Sequence, residues 1–190
     1  MKTNIITLVF MLTVALSFGQ AVRNTSYLNQ SGEKVLRFEI TVPLALDKAW
    51  ELCSTDQGLK KWMAPLAHIE LKAGGHIVTN YDVTKELDDT TSIRLPIVSY
   101  IEKEMMMLKV KLNYNFSAAV RKEDSHLFEI IQLKKIDNMH TSIVSSMVGF
   151  GEGGEWEKTY QFFLKGNAWT CEQLVKVFTE KPANSRDSSK

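Results

Sequence analysis

The chain has 190 residues, with 23 Lys and Arg against 22 Asp and Glu, and two cysteines. A balanced charge with no basic stripe or polybasic tract excludes the electrostatic footprint of a nucleic-acid binder or of a protein held on anionic membranes. Two cysteines are too few for a disulfide framework.

Met1 to Gly19 reads as a signal peptide: Lys2 in front, an apolar run from Ile5 to Phe18, then small residues at Ser17 and Gly19. The run is shorter than the roughly 20 residues a spanning helix needs, and no basic stop-transfer cluster follows. Cleavage before Gln20, export to the periplasm or beyond, and no stable membrane insertion are the expectations. The remainder is one domain's worth of chain, able to bury roughly 70% of its unfolded surface.

Residues 20–33 (QAVRNTSYLNQSGE) are polar and aperiodic, and predict a flexible lead-in before a domain spanning 34–181. From Val35, the residues Leu36, Phe38, Ile40 and Val42 alternate with polar neighbours, a one-faced strand closed by Pro43. Asp47 suits the N-cap of a short helix through Ala49, Trp50, Leu52 and Cys53. Ser54-Thr55-Asp56 opens a second short helix that stops near Pro65.

The middle of the chain is strand-like. Ala67–Ala73 and His76–Val83 flank Gly74-Gly75 as a hairpin. Thr91–Ile101 contains Pro96, which points to an edge or a bulge. Met106, Leu108, Val110 and Leu112 make a second one-faced strand, and Asn113–Ser125 is a connector. Leu127–Ile136 and Thr141–Phe150 pair around Asp137-Asn138.

Four glycines between Gly149 and Gly154 then turn the chain into its last long stretch. There Trp156, Tyr160, Phe163, Leu164, Asn167, Cys171, Leu174, Val175 and Phe178 recur at helical spacing, a helix with one buried face. Lys181-Pro182 ends it, and 182–190 are expected to be a disordered tail.

The elements add up to an α+β chain: one strand, two short helices, further strands to a total of about six to seven, and one long C-terminal helix. A one-faced antiparallel sheet must bury its apolar side, and only that helix is long enough to cover it. A curved sheet gripping one helix leaves a gap where the helix cannot reach every strand.

The stretches GLKKWMAP at Gly58–Pro65, LKAGGHI at Leu71–Ile77 and FFLKGNAWTCEQLVKVF at Phe162–Phe178, in this order, resemble the START-like or SRPBCC superfamily. Its helix-grip fold is shared by the birch-pollen allergen. The branch it most resembles is the activator of heat-shock protein 90 ATPase homologues, over about Val35 to Phe178. Many members carry a Gly-Trp pair in the closing helix; here Asn167 follows Gly166, and the tryptophan is displaced to Trp169. The expected export, and a chain without room for a further N-terminal domain, argue against carrying over co-chaperone activity on a cytosolic ATPase. What the resemblance implies is an apolar cavity taking a small hydrophobic, amphipathic or lipid-like ligand, in a superfamily that also holds cyclases and hydratases.

The residues expected to border that cavity are Trp62, Tyr81, Tyr100, Met106, Phe128, Met147, Tyr160 and Phe163, although each also suits plain core packing. Met105-Met106-Met107 adds adaptable thioethers at a strand start. Asn167 falls on the buried stripe, where an unpaired amide is costly, so it must meet backbone, water or ligand.

Phe162 and Trp169 lie on the other side of the helix and form a second apolar patch. It is expected to be covered by the lead-in through Tyr27 and Leu28, by a loop, or by a second copy of the chain. No nucleophile motif, phosphate loop or metal-ligand spacing appears among His68, His76, His126, His140 and the cysteines. No catalytic residue, metal or cofactor is therefore assigned. An enzyme using Tyr81, His76 or Glu102 as acid or base is the alternative, and an interaction module built on Phe162 and Trp169 is a third reading.

Overall fold

The computed structural model describes residues 22–179. The signal-peptide and tail expectations lie outside the described residues. Nine strands form an open antiparallel sheet: β1 (Val22–Asn24), β2 (Tyr27–Leu28), β3 (Lys34–Val42), β4 (Leu66–Ile69), β5 (His76–Asn80), β6 (Ile93–Ile101), β7 (Met105–Lys109), β8 (Phe128–Lys135) and β9 (Thr141–Val148). Their spatial order is β1-β3-β9-β8-β7-β6-β5-β4, with β2 paired to β3 beside β1. Helices α1 (Leu46–Ser54) and α2 (Asp56–Leu59) follow β3, α3 (Ala118–Lys122) lies between β7 and β8, and α4 (Gly154–Thr179) closes the chain.

The seven strands β3 to β9 are the ones legible from alternation. The further two come from the lead-in, which is not loose over Val22–Leu28. Val22, Arg23 and Asn24 pair with Ile40, Glu39 and Phe38, and Tyr27 and Leu28 pair with Val35 and Lys34. Strands of three and two residues are too short to show a period of two, so their pairing is a tertiary fact.

Local chemistry explains most boundaries. The Thr55 hydroxyl accepts from Gly58 N and caps α2. Asp47 stands in the first turn of α1 behind Ala45 and meets Lys103 at 2.9 Å; it is not the cap expected of it. Pro96 is followed by a register shift between Ile97 and Ser99. Its strand lies between β5 and β7, so the disturbance is a bulge and not an edge. Asp137 Oδ1 accepts from the backbone of Met139 and His140 and fixes the β8–β9 turn.

The inner face of the sheet is set by register. Leu36, Phe38 and Ile40 of β3 face Met147, Ser145 and Ile143 of β9. Those β9 residues face Glu129, Ile131 and Leu133 of β8 in turn, and Leu108 and Met106 of β7 continue the rows. The apolar members are almost wholly buried, each worth roughly 1.5–3 kcal/mol.

Helix α4 packs mainly on β3, β1 and α3. It is pinned at two places: Trp156 and Thr159 near its start, Cys171 and Leu174 near its end. The Trp156 indole donates to Glu123 beside α3 at 2.8 Å. Between Tyr160 and Thr170 no residue is fully buried.

Candidate functional site

The sequence-predicted lining residues separate into groups. Met106 and Met147 lie on the inner face and are buried, and Tyr160 and Phe163 of α4 are half-buried against the core. Tyr160 and Phe163 belong to an aromatic cluster around Phe150, with ring centroids 5.1 and 6.3 Å from it. Phe116 stacks on Phe163 at 5.7 Å from the loop before α3.

Tyr100 stacks on Trp50 of α1 at 6.5 Å, and the Trp62 indole donates to Leu52 O. Both residues therefore serve the α1–α2 end of the sheet. Phe128 is on the opposite phase of β8 from Glu129 and Ile131, facing away from α4, with Lys109 Nζ 5.0 Å over its ring.

Phe162 and Trp169 stay 58% and 47% exposed. Neither is covered by Tyr27 or Leu28, which pair with the start of β3 and are themselves exposed. Phe162 meets Phe116 edge-on at 5.1 Å, and Trp169 lies 6.1 Å from Tyr81 just beyond β5.

Asn167 finds a partner that sequence reasoning did not name: its amide donates to the Met147 sulfur at 3.2 Å. A thioether is a weak acceptor. That contact draws helix and sheet together at the middle of α4, beside a residue sequence reasoning missed. Glu129 occupies the inner phase of β8 between Leu127 and Ile131. It takes one hydrogen bond, from Ser145 Oγ at 3.0 Å.

Among the described residues no Lys, Arg or His forms an ion pair with Glu129. Burial pushes its carboxyl above the ordinary glutamate value, against the lowering effect of the Ser145 bond. Its charge is felt by two neighbours. The Tyr81 phenol is pushed up chiefly by burial and also by Glu129, opposed by Thr170. The Cys171 thiol is pushed up to about 12, first by burial and then by Glu129 and Glu172. Cys53 is likewise raised to about 12 by burial, and both thiols are free.

A groove of about 690 Å³ opens next to this cluster, between the lead-in strand and one flank of α4. Val22, Asn24 and Phe38 form its sheet side; Leu164, Ala168 and Val175 form its apolar helix side, with Lys165, Glu172 and Lys176 also lining it. Its sheet side lies one strand away from the polar cluster. Phe38 is the register partner of Ser145, one strand spacing of ~4.8 Å away, and Leu164 and Ala168 flank Asn167 on the helix.

The histidine pairs lie elsewhere. His68 meets Asp56 at 2.9 Å and His76 lies 3.7 Å from Glu70. Among the described residues no three His, Cys, Asp or Glu converge as a metal site. Nor is any helix there long and apolar enough to cross a membrane.

An open antiparallel sheet wrapped against one long C-terminal helix, with two short helices after the first long strand, is also the architecture of several solved proteins. One is CalU16 from Micromonospora echinospora in solution, with a TM-score of 0.61 at 10% identity over 92% of this chain and 85% of that one. Another is a conserved protein of unknown function from Enterococcus faecalis, at 0.57 and 14% over 88% and 83%. The Aha1 dimer from Colwellia psychrerythraea matches at 0.56 and 14% over 75% and 93%. The fold is a helix grip. Likeness at this identity gives the helix-grip domain its architecture and leaves its activity to be argued from the site. No protein-family model and no curated protein matches the chain.

Proposed function

We propose that this helix-grip domain is exported and binds a small apolar or amphipathic molecule between its sheet and α4. The observation that supports the reading is the groove between the β1–β3 edge and one flank of α4, a helix whose fully buried residues lie only towards its ends. Its volume falls within the roughly 300–1,000 Å³ of small-molecule sites. Its walls are mainly apolar, with Asn24, Lys165, Glu172 and Lys176 as the polar groups that line it.

An acid–base enzyme built on Tyr81, His76 and Glu102 has less support. His76 and Tyr81 are separated by ~16 Å of extended chain along β5, and the Glu102 side chain stands in an exposed turn.

Alkyl probes test the reading. Decanol, added to the folded protein, raises its melting temperature through preferential binding to the native state. Ala168→Phe fills the groove and removes that response while leaving a cooperative melt. An unchanged response in the filled variant, or no response in the parent, refutes the site.

A further inference from the structure

The polar side chains of the groove are not spread evenly along it. Helix α4 runs in the same direction as β3. Glu157 in its first turn meets Lys34 at the start of that strand, and Asn167 farther on meets Met147, the register partner of Leu36. β1 runs the opposite way, with Asn24 beside Phe38 and Val22 beside Ile40. Asn24 and Lys165 therefore share one end of the groove, and Val22, Val175 and Lys176 share the other. The two lysines are ~16 Å apart along the helix axis.

The ends differ in how their charges are answered. Lys176 stands in the last turn of α4, where a cation offsets the carbonyl end of the helix. Glu172 lies one turn before it, the order in which opposite charges on a helix attract. Lys165 has no such neighbour. The residues one turn from it are Gln161, Phe162, Ala168 and Trp169, and among the described residues it forms no ion pair and no side-chain hydrogen bond. Asn24 leaves a donor open at the same end. Its amide oxygen accepts from Ser26 N at 3.0 Å, and its NH2 group has no acceptor among the described residues. The other charges of this edge, Arg23, Arg37 and Glu39, lie on the opposite phase of β1 and β3 and pair with one another.

Resting on the groove reading above, we propose that the ligand is a long-chain carboxylate, a free fatty acid, with its head at the Lys165 and Asn24 end. Lys165 supplies the countercharge and Asn24 a hydrogen bond. The alkyl chain runs along Phe38, Leu164, Ala168 and Val175 toward Val22. The reverse orientation sets the carboxylate near Glu172 and the negative end of the helix dipole, and both oppose it. An ammonium head meets Lys165 at one end and, at the other, a glutamate already matched by Lys176.

Calorimetric titration of the folded protein with decanoate, decylamine and decanol below their micelle concentrations tests this at neutral pH. Decanoate is expected to bind at least about fivefold more tightly than decylamine, the ratio for ~1 kcal/mol from a solvent-facing charge pair. Added salt is expected to narrow that gap. Lys165→Met keeps an apolar stem and removes the charge, so it is expected to weaken decanoate about three- to fivefold and leave decanol unchanged. Lys176→Met is expected to keep the preference for decanoate.

Decylamine binding as tightly as decanoate overturns the head-group inference and leaves the groove standing. So does a preference that survives Lys165→Met intact, or one that Lys176→Met removes instead. Failure of all three probes to bind the parent protein overturns the groove reading as well.

Discussion

On the inner phase of β8, where Leu127, Ile131 and Leu133 are buried, the chain places an acid. Burial raises the Glu129 carboxyl above its ordinary 4.5, the Ser145 bond opposing. A carboxyl raised on folding contributes stability that is fully present below its unfolded value. That contribution is lost as pH climbs through the folded value. Glu129 therefore costs stability at neutral pH. Glu129→Gln is expected to melt higher than the parent at pH 7, by about 1 kcal/mol, or ~3 °C for a domain of this size. The advantage should close as pH falls toward 4. Calorimetric melts at several pH values check it, and an advantage that widens in acid would contradict the assignment. The residue was hidden for a physical reason. The stretch LFEIIQLKK has Phe128 and Ile130 on one phase and Leu127, Ile131 and Leu133 on the other, so alternation leaves the inward phase open. Pairing with β7 and β9 decides it. Asn167 was legible because α4 has one clear stripe; its thioether partner was not, since sequence spacing on a helix says nothing about which strand lies opposite.

Elements differ in how much of their structure is local. The β8–β9 turn, the α2 cap and the Pro96 bulge are written in Asp137, Thr55 and Pro96, and each was readable or nearly so. The entry to α4 depends on both local and distant geometry. Gly149 has a φ of +84°, and a Cβ there would lie 1.6 Å from the His126 carbonyl oxygen. Glycine is needed twice over, for the left-handed backbone and for the close approach of the segment leading into β8. Gly149→Ala is expected to cost more than about 2 kcal/mol, measured as a lower urea midpoint, and the same change at Gly154, where a Cβ would meet open space, should cost far less. Equal effects at the two positions would show that the turn is not constrained as described. β1 is the opposite case. Nothing in Val22-Arg23-Asn24 marks it as a strand. It forms because β3 offers an unpaired edge, and an unpaired edge is an invitation to any extended segment within reach.

For the whole molecule, the grip was legible because long one-faced strands and one long one-faced helix have few ways to bury each other. The groove was not, because it arises where an aperiodic lead-in meets the flank of a helix distant in sequence. The same architecture sets where the molecule is least stable. α4 is fastened by Trp156 and Thr159 at one end and by Cys171 and Leu174 at the other, and its middle turns contribute no fully buried residue. Local opening costs least where few apolar contacts hold a segment down. Amide hydrogen exchange is therefore expected to be faster across residues 160–170 than across the two anchor points, although all are helical. An occupant of the groove touches Leu164 and Ala168 on the helix and Val22 and Asn24 on β1, so decanol should slow exchange in those two places together. β4 and β5 line no part of the groove and should exchange as before. Protection spread evenly over the sheet would mean that the probe acts on global stability from another surface; protection confined to the middle of α4 and to β1 would tie the loosest part of the grip to its ligand.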